Sequence, residues 1–170
     1  MYTIFKTRWG YFGLCCSEIG LYRTCLPSAT KEQAEKVLLS GLDNPVFKKS
    51  LLSDLQDKIA AYYKGDCIDF SQTAIDFSGY TPFSKQILQA CMKIRYGETK
   101  TYKELAHLAS SPNTARAVGM VMSRNRIPLI IPCHRVIGSD GSLHGFSAPG
   151  GIQTKQRMLT LESKFRGFRE

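Results

Sequence analysis

The run Arg124-Asn125-Arg126-Ile127-Pro128-Leu129-Ile130-Ile131-Pro132-Cys133-His134-Arg135-Val136 sets three consecutive aliphatic residues between two prolines. Proline disfavours helical geometry in the residue before it, so this stretch reads as extended. An extended segment that is apolar throughout should be buried. A short distance on, Gly138-Ser139-Asp140-Gly141 forms a turn at a surface. The chain is therefore expected to carry Cys133 along a buried strand and leave it where apolar core meets polar residues. That setting suits a thiol in a pocket.

Cys133 is one of six cysteines, with Cys15, Cys16, Cys25, Cys67 and Cys91. None forms a CxxC pair, and the spacing suits neither a zinc finger nor a disulfide framework. Most should be reduced thiols behaving as small buried hydrophobes. No histidine precedes His107, so Cys15, Cys16 and Cys25 have no partner for a zinc site near the start. The N-terminus MYTIFKTRWGYF has no cleavable signal pattern, and no apolar run is long enough to span a membrane. An intracellular protein is expected.

Charge divides the chain. Residues 1–78 carry nine Lys/Arg and nine Asp/Glu, whereas residues 79–170 carry fourteen against five. The whole net charge of +9 thus lies in the second half. A phosphate backbone is the natural partner of such a half, against the plainer reading of a solvated basic surface.

The first half reads as a small α+β domain over 1–78. Strands are expected at Tyr2–Trp9, Tyr11–Cys16 and Gly20–Leu26, where aromatic and β-branched residues are frequent. Thr30-Lys31-Glu32-Gln33 opens a helix that Gly41 closes. Asn44-Pro45 reads as the start of a second helix running to Lys64, and Ile68–Phe77 as a further strand. The second half, 79–170, is mostly helical. Thr81-Pro82 starts a helix with Phe83, Ile87, Ala90, Cys91 and Ile94 at helical spacing. Thr101-Tyr102-Lys103-Glu104 is a capping box, Ser111-Pro112-Asn113 a tight turn, and Thr114–Arg124 a further helix, together a helix-turn-helix pattern. Ile152–Ser163 is the last helix, with Met158, Leu159 and Leu161 on its apolar side.

A thiol is only a few per cent ionised at neutral pH and needs help to act as a nucleophile. His134 adjoins Cys133, but successive side chains on an extended segment point apart, so contact needs a bent backbone or a water. Glu162 is the only acid between Asp140 and Glu170 and so the candidate to orient the imidazole; its plainer reading is a surface ion pair. Within Thr114-Ala115-Arg116-Ala117-Val118-Gly119-Met120, Gly119 costs about 1 kcal/mol relative to alanine. Something narrow approaching the helix, such as a DNA minor groove, explains it; tight helix–helix packing is the other reading.

Pro132-Cys133-His134-Arg135-Val136, together with Arg116-Ala117-Val118-Gly119, Tyr102, Asn125 and Pro128 in order and spacing, resembles the O6-alkylguanine-DNA alkyltransferases. The resemblance is strong from Thr81 to Glu162 and one of general architecture before that. It implies a ribonuclease-H-like first domain and a winged-helix-like second one, no cofactor, and a monomer that binds double-stranded DNA through the minor groove in the cytoplasm or nucleus. It further implies stoichiometric transfer of an alkyl group from O6 of guanine, or O4 of thymine, to Cys133 after base flipping. Cys133, His134, Glu162, Tyr102 and Asn125 would carry the chemistry. Ser84, Tyr102, Lys103, Ala115, Arg116, Ala117, Gly119, Arg124 and Ser139 would bind DNA, with Arg116 taking the place of the extruded base. Val136, Phe146 and Ser147 would line the base pocket.

This chain has Phe146 where such proteins often have tyrosine, a loop around it about two residues longer, and Arg126 where proline is common, which should loosen the turn. Two other functions would fit Cys133 less well: a non-enzymatic lesion-binding protein, in which relatives replace the reactive cysteine, and a Cys/His hydrolase indifferent to DNA.

Overall fold

The computed structural model describes residues 1–164. They form two compact units, one of Met1–Ile68 with Thr73–Asp76, the other of Asp69–Gln72 with the chain from Phe77 on. The fold is mixed: a small antiparallel sheet with helices in the first unit and a mainly helical second.

In the first unit β1 (Tyr2–Thr7), β2 (Gly10–Cys16) and β3 (Leu21–Ser28) make an antiparallel meander. Alternation sorts its side chains between two faces. Tyr2, Ile4, Cys15 and Cys25 pack with Ala34 and Leu38 of α1 (Lys31–Leu39). On the other face Phe5 and Phe12 stack at 5.7 Å, and Phe12 meets Tyr63 of α2 (Ser53–Lys64) at 6.0 Å. Gly13 lets α1 close on the sheet, because a Cβ there would lie 2.8 Å from Cys25 Sγ and 2.9 Å from Leu38 Cδ2.

Two expectations for this unit fail. The second helix begins at Ser53, not at Asn44-Pro45. Asn44 has a positive φ of 45°, and the chain after it runs beside β1, where Tyr2 N–H donates to Val46 O and Lys48 N–H to Tyr2 O. Residues 68–77 form no strand, only a single bridge between Leu21 and Ile75.

In the second unit α3 (Pro82–Met92), α4 (Tyr102–Leu108) and α5 (Ala115–Ser123) pack on one another. Their starts are written locally. Thr81 caps α3 by accepting from Ser84 N–H, with Pro82 in the first turn. Thr101 and Glu104 close a reciprocal capping box on α4. Ser110 and Asn113 take positive φ in the turn between α4 and α5. Two short parallel strands, β4 (Lys100–Thr101) and β5 (Val136–Ile137), and α6 (Gly151–Ser163) complete the unit.

The proline-bracketed segment is buried, as its composition requires, but it is not a strand. Leu129 has φ +76°, and Ile131 N–H donates back to Ile127 O, so the chain doubles on itself. A 3₁₀ turn, Cys133–Arg135, follows directly. The prolines exclude helix; they do not exclude a tight loop, and the packing around the aliphatics selects one.

Candidate functional site

Cys133 opens the 3₁₀ turn and is 7% exposed. Asn125 Nδ2 donates to Cys133 Sγ at 3.2 Å and to Ile131 O at 3.0 Å, and its Oδ1 accepts from Ile127 N–H at 3.0 Å. One side chain thus ties down the loop and touches the thiol. Arg126 tightens this region instead of loosening it. Its guanidinium lies 4.3 Å over the Tyr80 ring, its N–H donates to Tyr80 Oη at 3.0 Å, and Nη2 donates to Ser78 O at 2.7 Å.

His134 and Glu162 meet in the interior: Nε2 and Oε1 are 2.7 Å apart, and both side chains are essentially inaccessible. The reading of Glu162 as a surface ion pair is therefore wrong. Arg135 grips the same carboxylate through Nε to Oε2 at 2.9 Å and Nη2 to Oε1 at 3.0 Å, and donates through Nη1 to Ile94 O at 2.7 Å. Gly97 N–H adds a bond to Oε2 at 3.1 Å.

These contacts decide protonation. Burial works to raise the Glu162 carboxyl, but the bonds and charges of His134 and Arg135 outweigh it and hold the group well below the usual carboxylate range. Burial pushes His134 down, opposed by Glu162, so the imidazole is neutral at neutral pH. Nε2 then carries the hydrogen and donates to the carboxylate. Nδ1 keeps the lone pair and is buried without a hydrogen-bond partner among the described residues. Burial also raises the Cys133 thiol, opposed first by the Asn125 bond and then by the charge of Lys155. At rest Cys133 is a neutral thiol, and the next residue in the turn is a neutral base whose Nε2 is fixed by an ionised carboxylate.

Arg135 and Lys155 escaped the reading of the sequence. Lys155 is 1% exposed, and its Nζ donates to Val136 O at 2.6 Å and to His144 O at 3.4 Å. A signal existed: Lys155, Met158 and Glu162 stand at i, i+3 and i+7, the spacing of a buried helical stripe that here contains two charges.

On α5, Arg116 is exposed and Ala115, Ala117 and Gly119 are half-buried. A Cβ on Gly119 would meet only the Tyr102 ring, at 3.8 and 3.9 Å. That is ordinary contact, so helix packing does not require glycine there. Tyr102 itself is half-buried at the start of α4. Between the start of α3 and α5 runs a groove of about 440 Å³, bordered by Ser84, Ala117, Met120, Arg124 and Arg126. Lys103, Arg124 and Ser139 are exposed and Phe146 half-buried. Ser147 is exposed and donates through Oγ to Ser123 O at 2.9 Å, which fastens its loop to the end of α5. Among the described residues no three His, Cys, Asp or Glu side chains converge as metal ligands, and no helix is long and apolar enough to cross a membrane.

Residues 82–164 match the model of the 6-O-methylguanine DNA methyltransferase DNA binding domain. A methylated-DNA–protein-cysteine methyltransferase of Mycobacterium leprae is 43% identical over 105 residues, which is 62% of this chain and 61% of the relative. The match thus spans less than two thirds of that relative. One of the same name from Sulfurisphaera tokodaii is 35% identical over 153 residues, covering 84% of this chain and 91% of the relative. A crystal structure of Mycobacterium tuberculosis OGT in complex with DNA superposes with a TM-score of 0.80 at 30% identity, covering 96% of this chain and 92% of that one.

Proposed function

This chain belongs to the 6-O-methylguanine DNA methyltransferase family, and from that premise we propose that it repairs alkylated DNA by moving an alkyl group from O6 of guanine to Cys133, once per molecule. The observation that carries this reading is a pair of contacts on successive residues of one turn: Asn125 donates to the Cys133 thiol, and the buried Glu162 carboxylate orients the His134 imidazole.

In this mechanism the Cys133 proton passes through a water to His134 Nδ1, and Glu162 stabilises the imidazolium. The sulfur attacks the alkyl carbon, the bond from that carbon to O6 breaks, and the guanine takes up a proton as it leaves, balanced by the thiol proton that His134 then releases. The new thioether is stable, so no second cycle follows. Val136 O accepts from the guanine amino group, and Phe146 and Ser147 wall the base. O4-alkylthymine is an alternative substrate of the same pocket.

The target base must leave the duplex to reach a thiol this buried, at a cost of a few kcal/mol. Ala115, Ala117 and Gly119 form the narrow face that enters the minor groove of the duplex. Arg116 fills the space of the flipped base, Tyr102 crowds its phosphate, and Ser84, Lys103, Arg124 and Ser139 hold the backbone. The +9 charge of residues 79–170 supports this partner. The second domain, 79–170, is winged-helix-like and carries both the DNA-binding face and the alkyl acceptor. The first, 1–78, has a ribonuclease-H-like arrangement. The protein works inside the cell as a monomer.

The test is transfer of labelled methyl from duplex O6-methylguanine. One equivalent should appear on the protein, with the mass of one methylene added to the Cys133 peptide. Binding of the lesion without any adduct would instead make the chain a lesion-binding protein, and repeated turnover a hydrolase.

A further inference from the structure

Lys155 is a lysine inside the second unit that forms no ion pair with a carboxylate among the described residues; its amine bonds are to two carbonyls. Burying an ammonium this way is unfavourable unless a charge partner offsets it. Glu162, the acid on the same helix, is gripped by His134 and Arg135. Val136, whose carbonyl receives Lys155 Nζ at 2.6 Å, sends its own N–H back to Cys133 O. The ammonium is therefore tied to the residue that closes the 3₁₀ turn opened by Cys133.

We propose that Lys155 is a positioning residue that acts by charge, its buried ammonium serving as the counter-ion of the Cys133 thiolate. At rest the thiol is neutral and the ammonium is held by carbonyl dipoles alone. When the thiol proton moves to His134, the site gains the anion that Lys155 lacks, and the two charges stabilise each other. Asn125 contributes a hydrogen bond to the same sulfur, so a dipole and a charge share the work. The titratable and charged groups around Cys133 are Cys91 on α3, Tyr102 on α4, His134 and Arg135 in its own turn, and Lys155 and Glu162 on α6. Of these Arg135 is already paired with Glu162, which leaves Lys155 as the unneutralised cation.

The electrostatics agree in both directions. The Lys155 charge favours the ionised form of Cys133, and the groups that favour charged Lys155 are the two thiols, Cys133 ahead of Cys91. Coupling of this kind is reciprocal, so each partner can be read from the other.

The proposal deepens the alkyl-acceptor reading, and its meaning for repair rests on it, yet its test needs no alkylated base. Lys155→Gln keeps a donor for the Val136 carbonyl and removes the charge. Carboxamidomethylation of the Cys133 peptide by iodoacetamide, followed across pH, should show its midpoint rise by about one unit. The rate below both midpoints should then fall about tenfold. An unchanged midpoint in folded Lys155→Gln would overturn the proposal and leave Lys155 a packing residue. Should that variant fail to fold, the wild-type chain answers the same question. In ε-¹³C-lysine spectra the Lys155 midpoint should fall in Cys133→Ala, and an unmoved midpoint sinks the idea. A shift in either experiment without methyl transfer from DNA would keep the counter-ion and reject the repair function.

Discussion

Asn125 reaches Cys133 with the same amide nitrogen that holds the Ile131 carbonyl, at 3.2 Å and 3.0 Å. Loop geometry and thiol environment therefore depend on one side chain. Asn125→Ala strands the Ile131 carbonyl and the Ile127 N–H and removes the donor to sulfur. We expect a loss of about 2–4 kcal/mol in urea unfolding, with slower iodoacetamide labelling of the Cys133 peptide at fixed pH.

Arg135→Ala leaves the Glu162 carboxylate buried with its charge uncompensated. The expected cost is about 3–5 kcal/mol, the usual result of removing one partner of a buried pair. A urea midpoint within error of the parent would show that water or another cation replaces the guanidinium.

Gly119→Ala should separate stability from binding. The added methyl finds room against Tyr102, and the helix gains up to about 1 kcal/mol. Duplex binding should weaken if this face enters a groove. A variant that melts lower, or binds duplex DNA as tightly as its parent in a fluorescence anisotropy titration, contradicts this account.

Arg116→Ala should slow methyl transfer from duplex DNA far more than reaction with free O6-benzylguanine, because only the duplex requires the base to be flipped. Equal losses on the two substrates would argue against the intercalating role. The salt dependence of binding should change only modestly, since contacts to phosphates dominate it.

Acid should destabilise the protein through His134. Its folded pKa lies below the ordinary value, so below about pH 6.5 the unfolded chain holds a proton that the folded chain lacks. Stability then falls with pH by at most about 1.4 kcal/mol per unit. Glu162, lowered in the fold, contributes stability that is present above its ordinary value and lost only at still lower pH. Urea midpoints between pH 7 and 5.5 should decline in the parent and much less in His134→Gln. The other two histidines, His107 and His144, are exposed, so a parallel decline in the variant would remove His134 as the cause.

Residue order alone determined much of this protein. The capping residues Thr30, Thr81 and Thr101 act within one turn of chain, so their helices start where the sequence says. The chemistry of their own side chains brought Cys133, His134 and Glu162 forward as candidates, and the family resemblance added Asn125. Asn44-Pro45 misled, since a good helix start is overridden when the backbone after it pairs with a distant strand. The path of Ile127–Pro132 was likewise undecided locally: prolines exclude a helix, and only the surrounding core chooses between strand and loop. The environments of Arg135 and Lys155 belong wholly to tertiary structure. Both look like solvated cations in a basic half, and burial became affordable only when folding brought Glu162 to one and the Val136 carbonyl to the other. What makes the Cys133 region a site is thus a set of contacts between residues up to 65 positions apart, from Gly97 to Glu162, whose energies exist only after the chain has closed around them.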